Sequence, residues 1–252
     1  MSAPYRNPVK VVLPFFVVLG AAVWYFSRPG NTLLGGTVNT APRHRQVWEW
    51  LRHPEAHPDW MVHAGERCGA APFQIPTDGF IGYLWDDSFR PGHRHTGVDI
   101  FGGTEAAQTP VYAAADGYLT RLGDWKSSLI QRIPEDPLHP GRQIWLYYTH
   151  MADAQGNSFI EAAFPPGSSE VFVSAGTLLG YQGNYSGDPF KPVGVHLHFS
   201  IVKDRGGNFL NELEIGNTLD PSPYLNLPLN AHTNQGQIPV CPEGTTTDEP
   251  SP

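Results

Sequence analysis

From Phe73 onward, apolar residues come in short bursts separated by Gly and Pro. The bursts are FIGYLW (80–85), VYAAA (111–115), GYLTRLG (117–123), QIWLYYTHM (143–151), EVFVSAG (170–176), TLLGYQG (177–183) and GVHLHFSIV (194–202). Runs of this length with turn signals between them predict an antiparallel sheet folded back on itself. The clearest strand is the last. Val195, Leu197, Phe199 and Ile201 share one face, and His196, His198 and Ser200 share the other. Strand side chains alternate, so both imidazoles point the same way, roughly 6.5 to 7 Å apart. The apolar face needs a core, and the histidine face must then border a cleft or surface.

Two upstream stretches have other periods. Arg45 to His53, RQVWEWLRH, predicts a short helix with Trp48 and Leu51 three apart. Val11 to Phe26 is an uncharged run preceded by Arg6 and Lys10 and followed by Arg28. At about 1.5 Å per residue it reaches roughly 24 Å, slightly short of a bilayer core of about 30 Å. Trp24 and Tyr25 suit an interface, and the leading positive charge favours an N-terminus inside. The run is expected to be a signal anchor, with a cleaved signal peptide as the alternative. Either places the remainder outside the cytoplasm.

Composition narrows the class. Gly (27) and Pro (25) are too frequent among 252 residues for a helical bundle or coiled coil. An aromatic content of 12% argues against wholesale disorder, and a net charge of −8 excludes broad electrostatic binding to nucleic acid. Cys68 and Cys241 can pair in an oxidising compartment and tie the end of the chain to the front of the domain.

The chain holds 11 histidines, and three segments place a few of them at spacings that chemistry uses. In His95-Thr-Gly-Val-Asp99, His and Asp fall on one side of an extended segment, with Gly97 permitting a tight bend. Tyr148-Thr-His150-Met is the second segment and His196-Leu-His198 the third. Two imidazoles and one carboxylate make a zinc triad of the type that leaves one position open for catalysis. Each segment alone is a weak signal. His93, two residues before His95, competes with it as a ligand on spacing alone.

Taken together and in order, RHTGVDIFGGTEAAQTPVYAAADGYLT (94–120), LYYTHM (146–151), SAGTLLGYQGNYSG (174–187) and GVHLHFSI (194–201) resemble the M23 family of lysostaphin-like zinc endopeptidases. The resemblance spans about 80–202. It implies a mostly β fold: a compact antiparallel sheet or sandwich, here with an N-terminal membrane helix and irregular flanks. It implies one Zn²⁺ per chain held by His95, Asp99 and His198, with His150 and His196 as catalytic partners. It implies peptidoglycan cross-link peptides as substrate. His53, His57 and His63 read as solvated loop residues, and His44, His139 and His232 as incidental.

The organisation expected is a cytoplasmic N-terminus (1–10), a membrane segment (11–26), a linker (27–72), a peptidase domain (73–227) and a tail (228–252). The chain departs from the family at Ser200, where Glu is frequent, and in the inserted Asp188-Pro-Phe-Lys-Pro192. The stretches 124–142 and 152–170 read as long Pro-rich loops rimming the cleft. Residues 45–70 are candidates to plug it as a latent inhibitor. The competing reading is a non-catalytic wall-binding scaffold that keeps the fold.

Overall fold

A computed structural model describes residues 41–88 and 92–242. The apolar run 11–26 lies outside the described residues, and among those described no helix is long and apolar enough to cross a membrane.

The strands are β1 (Met61–Val62), β2 (Gly79–Ile81), β3 (Val98–Phe101), β4 (Pro110–Tyr112), β5 (Gly117–Thr120), β6 (Leu129–Ile133), β7 (Ile144–Thr149), β8 (Val171–Val173), β9 (Leu178–Tyr181), β10 (Leu197–Lys203) and β11 (Thr218–Leu219). Helix α1 is Ala41–Arg52 and the short α2 is Ser222–Leu225. The main sheet is antiparallel in the order β1-β2-β3-β10-β7-β6-β5-β8, with β11 on β10, and β4 pairs with β9 separately. The fold is therefore mostly β, as the strand pattern predicts.

The two faces of the main sheet differ. On one face Val98, Ile100, Leu146, Tyr148, Leu197, Phe199 and Ile201 join Val111 of β4 and Leu179 of β9 in one buried cluster. This is the core, and it accounts for the alternation read in 194–202. On the other face the middle is polar and each flank is apolar. Val47 and Trp50 of α1 pack on Phe80 and Phe101 at one flank. Ile130, Trp145, Tyr147 and Val202 pack with Trp125, Phe209 and Leu210 at the other. Sheet order places β3 and β10 between these flanks.

Three expectations need correction. All seven predicted segments carry strands, but β6 lies inside 124–142, expected to be a loop. Its residues Leu129, Ile130, Gln131 and Ile133 are buried between β5 and β7, where paired backbone groups outweigh the flanking Pro signal.

The described part of the expected linker is folded. Trp50 is 2% exposed and its indole N–H donates to the Phe101 carbonyl (3.0 Å), while Val62 and Cys68 are buried. Helix α1 thus belongs to the domain, because its Val47/Trp50 stripe finds an apolar flank to cover. It also lines the cleft and leaves a cavity of about 690 Å³ beside it, so it is a wall and not a plug.

The described part of the expected tail is also docked. Leu229 is fully buried, Asn234 Oδ1 accepts from Arg43 of α1 (2.5 Å), and Cys241 is bonded to Cys68 across 173 residues. Closing a loop of that length stabilises the fold by about 5 kcal/mol on chain-entropy grounds.

Candidate metal centre

The register of three adjacent strands builds the site. Asp99 of β3 sits opposite His198 of β10, which sits opposite Thr149 of β7. His95 precedes β3 and His150 follows β7. Two glycines allow the close approaches this needs. A Cβ on Gly97 would lie 2.3 Å from the Phe199 carbonyl oxygen and 2.4 Å from Ser200 Oγ. A Cβ on Gly183 would lie 2.2 Å from the Ala152 oxygen and 2.5 Å from the His150 oxygen. Substitution at either would push the strand ends apart and open the site.

His95 Nε2, Asp99 Oδ1 and His198 Nδ1 converge. The separations are 3.0 Å (His95–Asp99), 2.9 Å (His198–Asp99) and 3.0 Å (His95–His198). All three side chains are buried. They form the one group of metal-capable ligands found among the described residues. Tetrahedral zinc with ligands at 2.0–2.1 Å spaces its donors about 3.3 Å apart, so this N/O/N set needs only a small expansion to hold the ion.

Outer contacts decide which ring nitrogen each histidine offers. His95 Nδ1–H donates to the Leu84 carbonyl (2.8 Å), which leaves Nε2 for a ligand. For His198 to offer Nδ1, its Nε2 must carry the proton and donate to Ser200 Oγ, 2.9 Å away. Ser200 is fully buried, so its hydroxyl is a small neutral acceptor held against the ring and shielded from water.

Protonation follows from burial and charge. Burial alone would raise the Asp99 carboxyl, but His95 and His196 and the hydrogen bonds from His196 and His198 hold it well below the ordinary carboxylate range. Burial would lower His95, and Asp99 more than offsets this, so its value is raised. Burial lowers His198 despite Asp99. The carboxylate is therefore ionised and His198 neutral, while His95 holds a proton more tightly than a free imidazole does, so protons compete with a cation for its Nε2.

Two more imidazoles lie beside the ligands. The ring centroids of His150 and His196 are 4.6 Å apart, and His196 stacks on Phe101 at 4.9 Å. His150 Nδ1–H donates to the Tyr185 carbonyl and His196 Nδ1–H to the Gly194 carbonyl, each at 2.7 Å. Each ring therefore offers Nε2 to the cleft. Burial, then His196 and His198, pull His150 down to about 3, so it stays neutral. His150 also has φ 73, a left-handed conformation uncommon for a side-chain-bearing residue and typical of functional positions.

All five expected site residues thus come together. His93 does not join the ligand set: its ring lies beside that of His95, with centroids 6.4 Å apart. Two histidines read as incidental have defined contacts. His44 bonds the Tyr83 hydroxyl (2.7 Å) on the cleft wall, and His232 bonds the buried Asp86 (2.7 Å). The positioning contacts of Leu84, Tyr185 and Gly194 are backbone carbonyls and leave no trace in side-chain identity. Ser200 was legible in principle, since it shares the face of His196 and His198.

No protein-family model matches the chain, and no curated protein matches it. Solved structures do. The catalytic domain of the antimicrobial peptidase lysostaphin from Staphylococcus simulans is 21% identical, covering 59% of this chain and 90% of that one, with a TM-score of 0.38. Lysostaphin itself, from the same organism, is 18% identical over 76% of this chain and 60% of that one, at a TM-score of 0.39. A protein from Pseudomonas aeruginosa provisionally assigned as a peptidase M23 is 20% identical over 74% of this chain and 62% of that one, at 0.35. These structural neighbours are M23 peptidases. At such scores the superposition is partial.

Proposed function

We propose that this chain is a zinc-dependent endopeptidase that hydrolyses peptide bonds in peptidoglycan cross-links. The observation that carries this reading is the buried His95/Asp99/His198 set lying beside the paired imidazoles of His150 and His196 at the floor of an open cleft. His95, Asp99 and His198 would hold the ion. When bound, zinc supplies Lewis-acid polarisation of a carbonyl and makes water acidic enough to deprotonate near neutral pH.

The remaining work falls to the chain. His150 and His196 both present Nε2 as a proton acceptor, and one of the pair serves as general base, a role typically worth about 10²- to 10⁴-fold. Because the Nδ1–H of each ring is engaged by a backbone carbonyl, Nε2 donates toward the oxyanion or the leaving amine only after the proton from water has reached it; His196 Nε2 lies 3.5 Å from Asp99 Oδ1. Phe101 stacks on His196 and the Gly194 carbonyl holds its Nδ1–H, which fixes the ring against the cleft. The wall peptide as substrate rests on the ordered motif set in 94–201. Exposure to the wall rests on the apolar run 11–26, read as a signal anchor in the cytoplasmic membrane.

The test is mass analysis of fragments released from defined cross-linked muropeptides, with and without a chelator. Chelator-sensitive release of peptide-cleaved fragments is expected. Full zinc occupancy without release, on several wall types, would instead identify a wall-binding scaffold.

A further inference from the structure

The two walls of the cleft differ in chemistry. The α1 wall presents Val47, Trp48 and Leu51. The wall beyond β7 presents Glu212, on the segment that follows β10. That segment is anchored, not loose. Phe209 and Leu210 pack on Ile130, Trp145, Tyr147 and Val202, and Phe209 lies 5.9 Å from the Tyr147 ring.

The Glu212 carboxylate meets the Tyr147 hydroxyl, and the Tyr147 ring is 6.4 Å from that of His198. Glu212 therefore stands one aromatic side chain away from a ligand of the metal centre. Tyr147 is itself held by Ser128 Oγ at 3.2 Å, and Ser128 by Thr149 at 2.6 Å. Glu212 is partly buried, and its partners are Tyr147 and its own backbone, with no cationic side chain among them. The lysine on this cleft, Lys126, holds its ammonium 5.6 Å over the Tyr185 ring instead, and the other acidic side chain lining the cleft beyond the metal ligands is Asp124. Burial pushes the Glu212 carboxyl upward, as expected of a charge lacking a counter-ion. A cation arriving in the cleft would relieve that cost.

Resting on the endopeptidase reading above, we propose that Glu212 forms a subsite for a primary ammonium group of the substrate and selects peptides that carry one next to the scissile bond. The ammonium can belong to a diamino-acid side chain or to a chain amino terminus, and the test separates these.

The experiment uses the full chain, zinc-loaded, and a set of cross-link peptides. One has all amines free, one has only the side-chain amine acetylated, and one has only the terminal amine acetylated. The wild type is expected to prefer the free peptide over one acetylated form by about tenfold in kcat/KM, carried mainly by KM. Glu212→Gln should bring that ratio close to one. Glu214→Gln, on the same segment but bonded to Asn211 and Asn217, should keep it.

A wild type indifferent to acetylation, or a Glu212→Gln variant that keeps the preference, overturns the subsite. If no peptide is cleaved by zinc-loaded wild type, the endopeptidase reading fails first. Calorimetric binding of the same peptides then decides the subsite separately. A preference for the free amine that disappears in Glu212→Gln supports it, and equal binding of all peptides removes it.

Discussion

Ser200→Ala gives the sharpest test of the metal centre, because it leaves all three ligands intact. It deletes the acceptor that lies 2.9 Å from His198 Nε2. Ser200 is fully buried, at 0% exposure, and His198 is buried at 9% exposure. A buried N–H left without its partner costs about 1–3 kcal/mol. At about 1.4 kcal/mol per tenfold, that corresponds to roughly 5- to 150-fold in an equilibrium constant. Loss of an outer partner of a metal-binding histidine typically weakens binding about 10- to 100-fold, which falls inside the same range. The expected result is therefore a zinc dissociation constant raised about 10- to 100-fold, read by competition with a chromophoric chelator. Metal-free thermal unfolding in parallel shows that the variant is folded. If folded Ser200→Ala binds zinc within about twofold of wild type, Ser200 does not set the His198 tautomer, and Nδ1 loses its support as the ligand atom.

Four further outcomes are expected. His150→Ala should retain zinc while hydrolysis falls about 10²- to 10⁴-fold, checked by metal analysis beside the muropeptide assay; near-wild-type turnover would remove it from the reaction. Trp50→Ala should cost about 3–5 kcal/mol from lost burial and the lost indole hydrogen bond to the Phe101 carbonyl, visible in thermal unfolding at roughly 2–4 °C per kcal/mol; an unchanged midpoint would return α1 to the status of a linker. Zinc affinity should fall as pH drops through the raised value of His95, with proton release on binding detected by calorimetry in buffers of different ionisation enthalpy.

The fourth concerns Asp86, whose carboxyl is bonded by Arg94 (2.5 Å) and His232 (2.7 Å). Burial would raise its value, but these partners lower it below the ordinary 3.8. A folded value below the unfolded one stabilises the fold above the ordinary carboxylate range, and the gain is lost as pH falls through the folded value. Asp86→Asn should then cost on the order of 1 kcal/mol near neutrality and progressively less in acid, as read by denaturant titrations across pH. A difference that does not change with pH would refute the linkage.

What the sequence determined by itself was periodic and local. Alternation at 194–202 set the core face and the histidine face of one strand, because side-chain direction in a strand has a fixed period of two. The spacing within His95-Thr-Gly-Val-Asp99 and His196-Leu-His198 made these segments metal candidates, and their order made them a family resemblance.

Tertiary structure decided what depends on neighbours distant in the chain. Strand β6 was hidden in a stretch whose Pro and Gly read as a loop, since its burial comes from β5 and β7 on either side. Helix α1 showed its period, but only the apolar flank at Phe80 and Phe101 turns its Val47/Trp50 stripe inward and leaves Trp48 on the cleft. The ring nitrogens offered by His95, His150 and His196 are chosen by carbonyls of Leu84, Tyr185 and Gly194. Glu212 carries no motif at all. Its place on the cleft follows from the packing of Phe209 and Leu210 against β7, and packing of that kind is written in no single stretch of sequence.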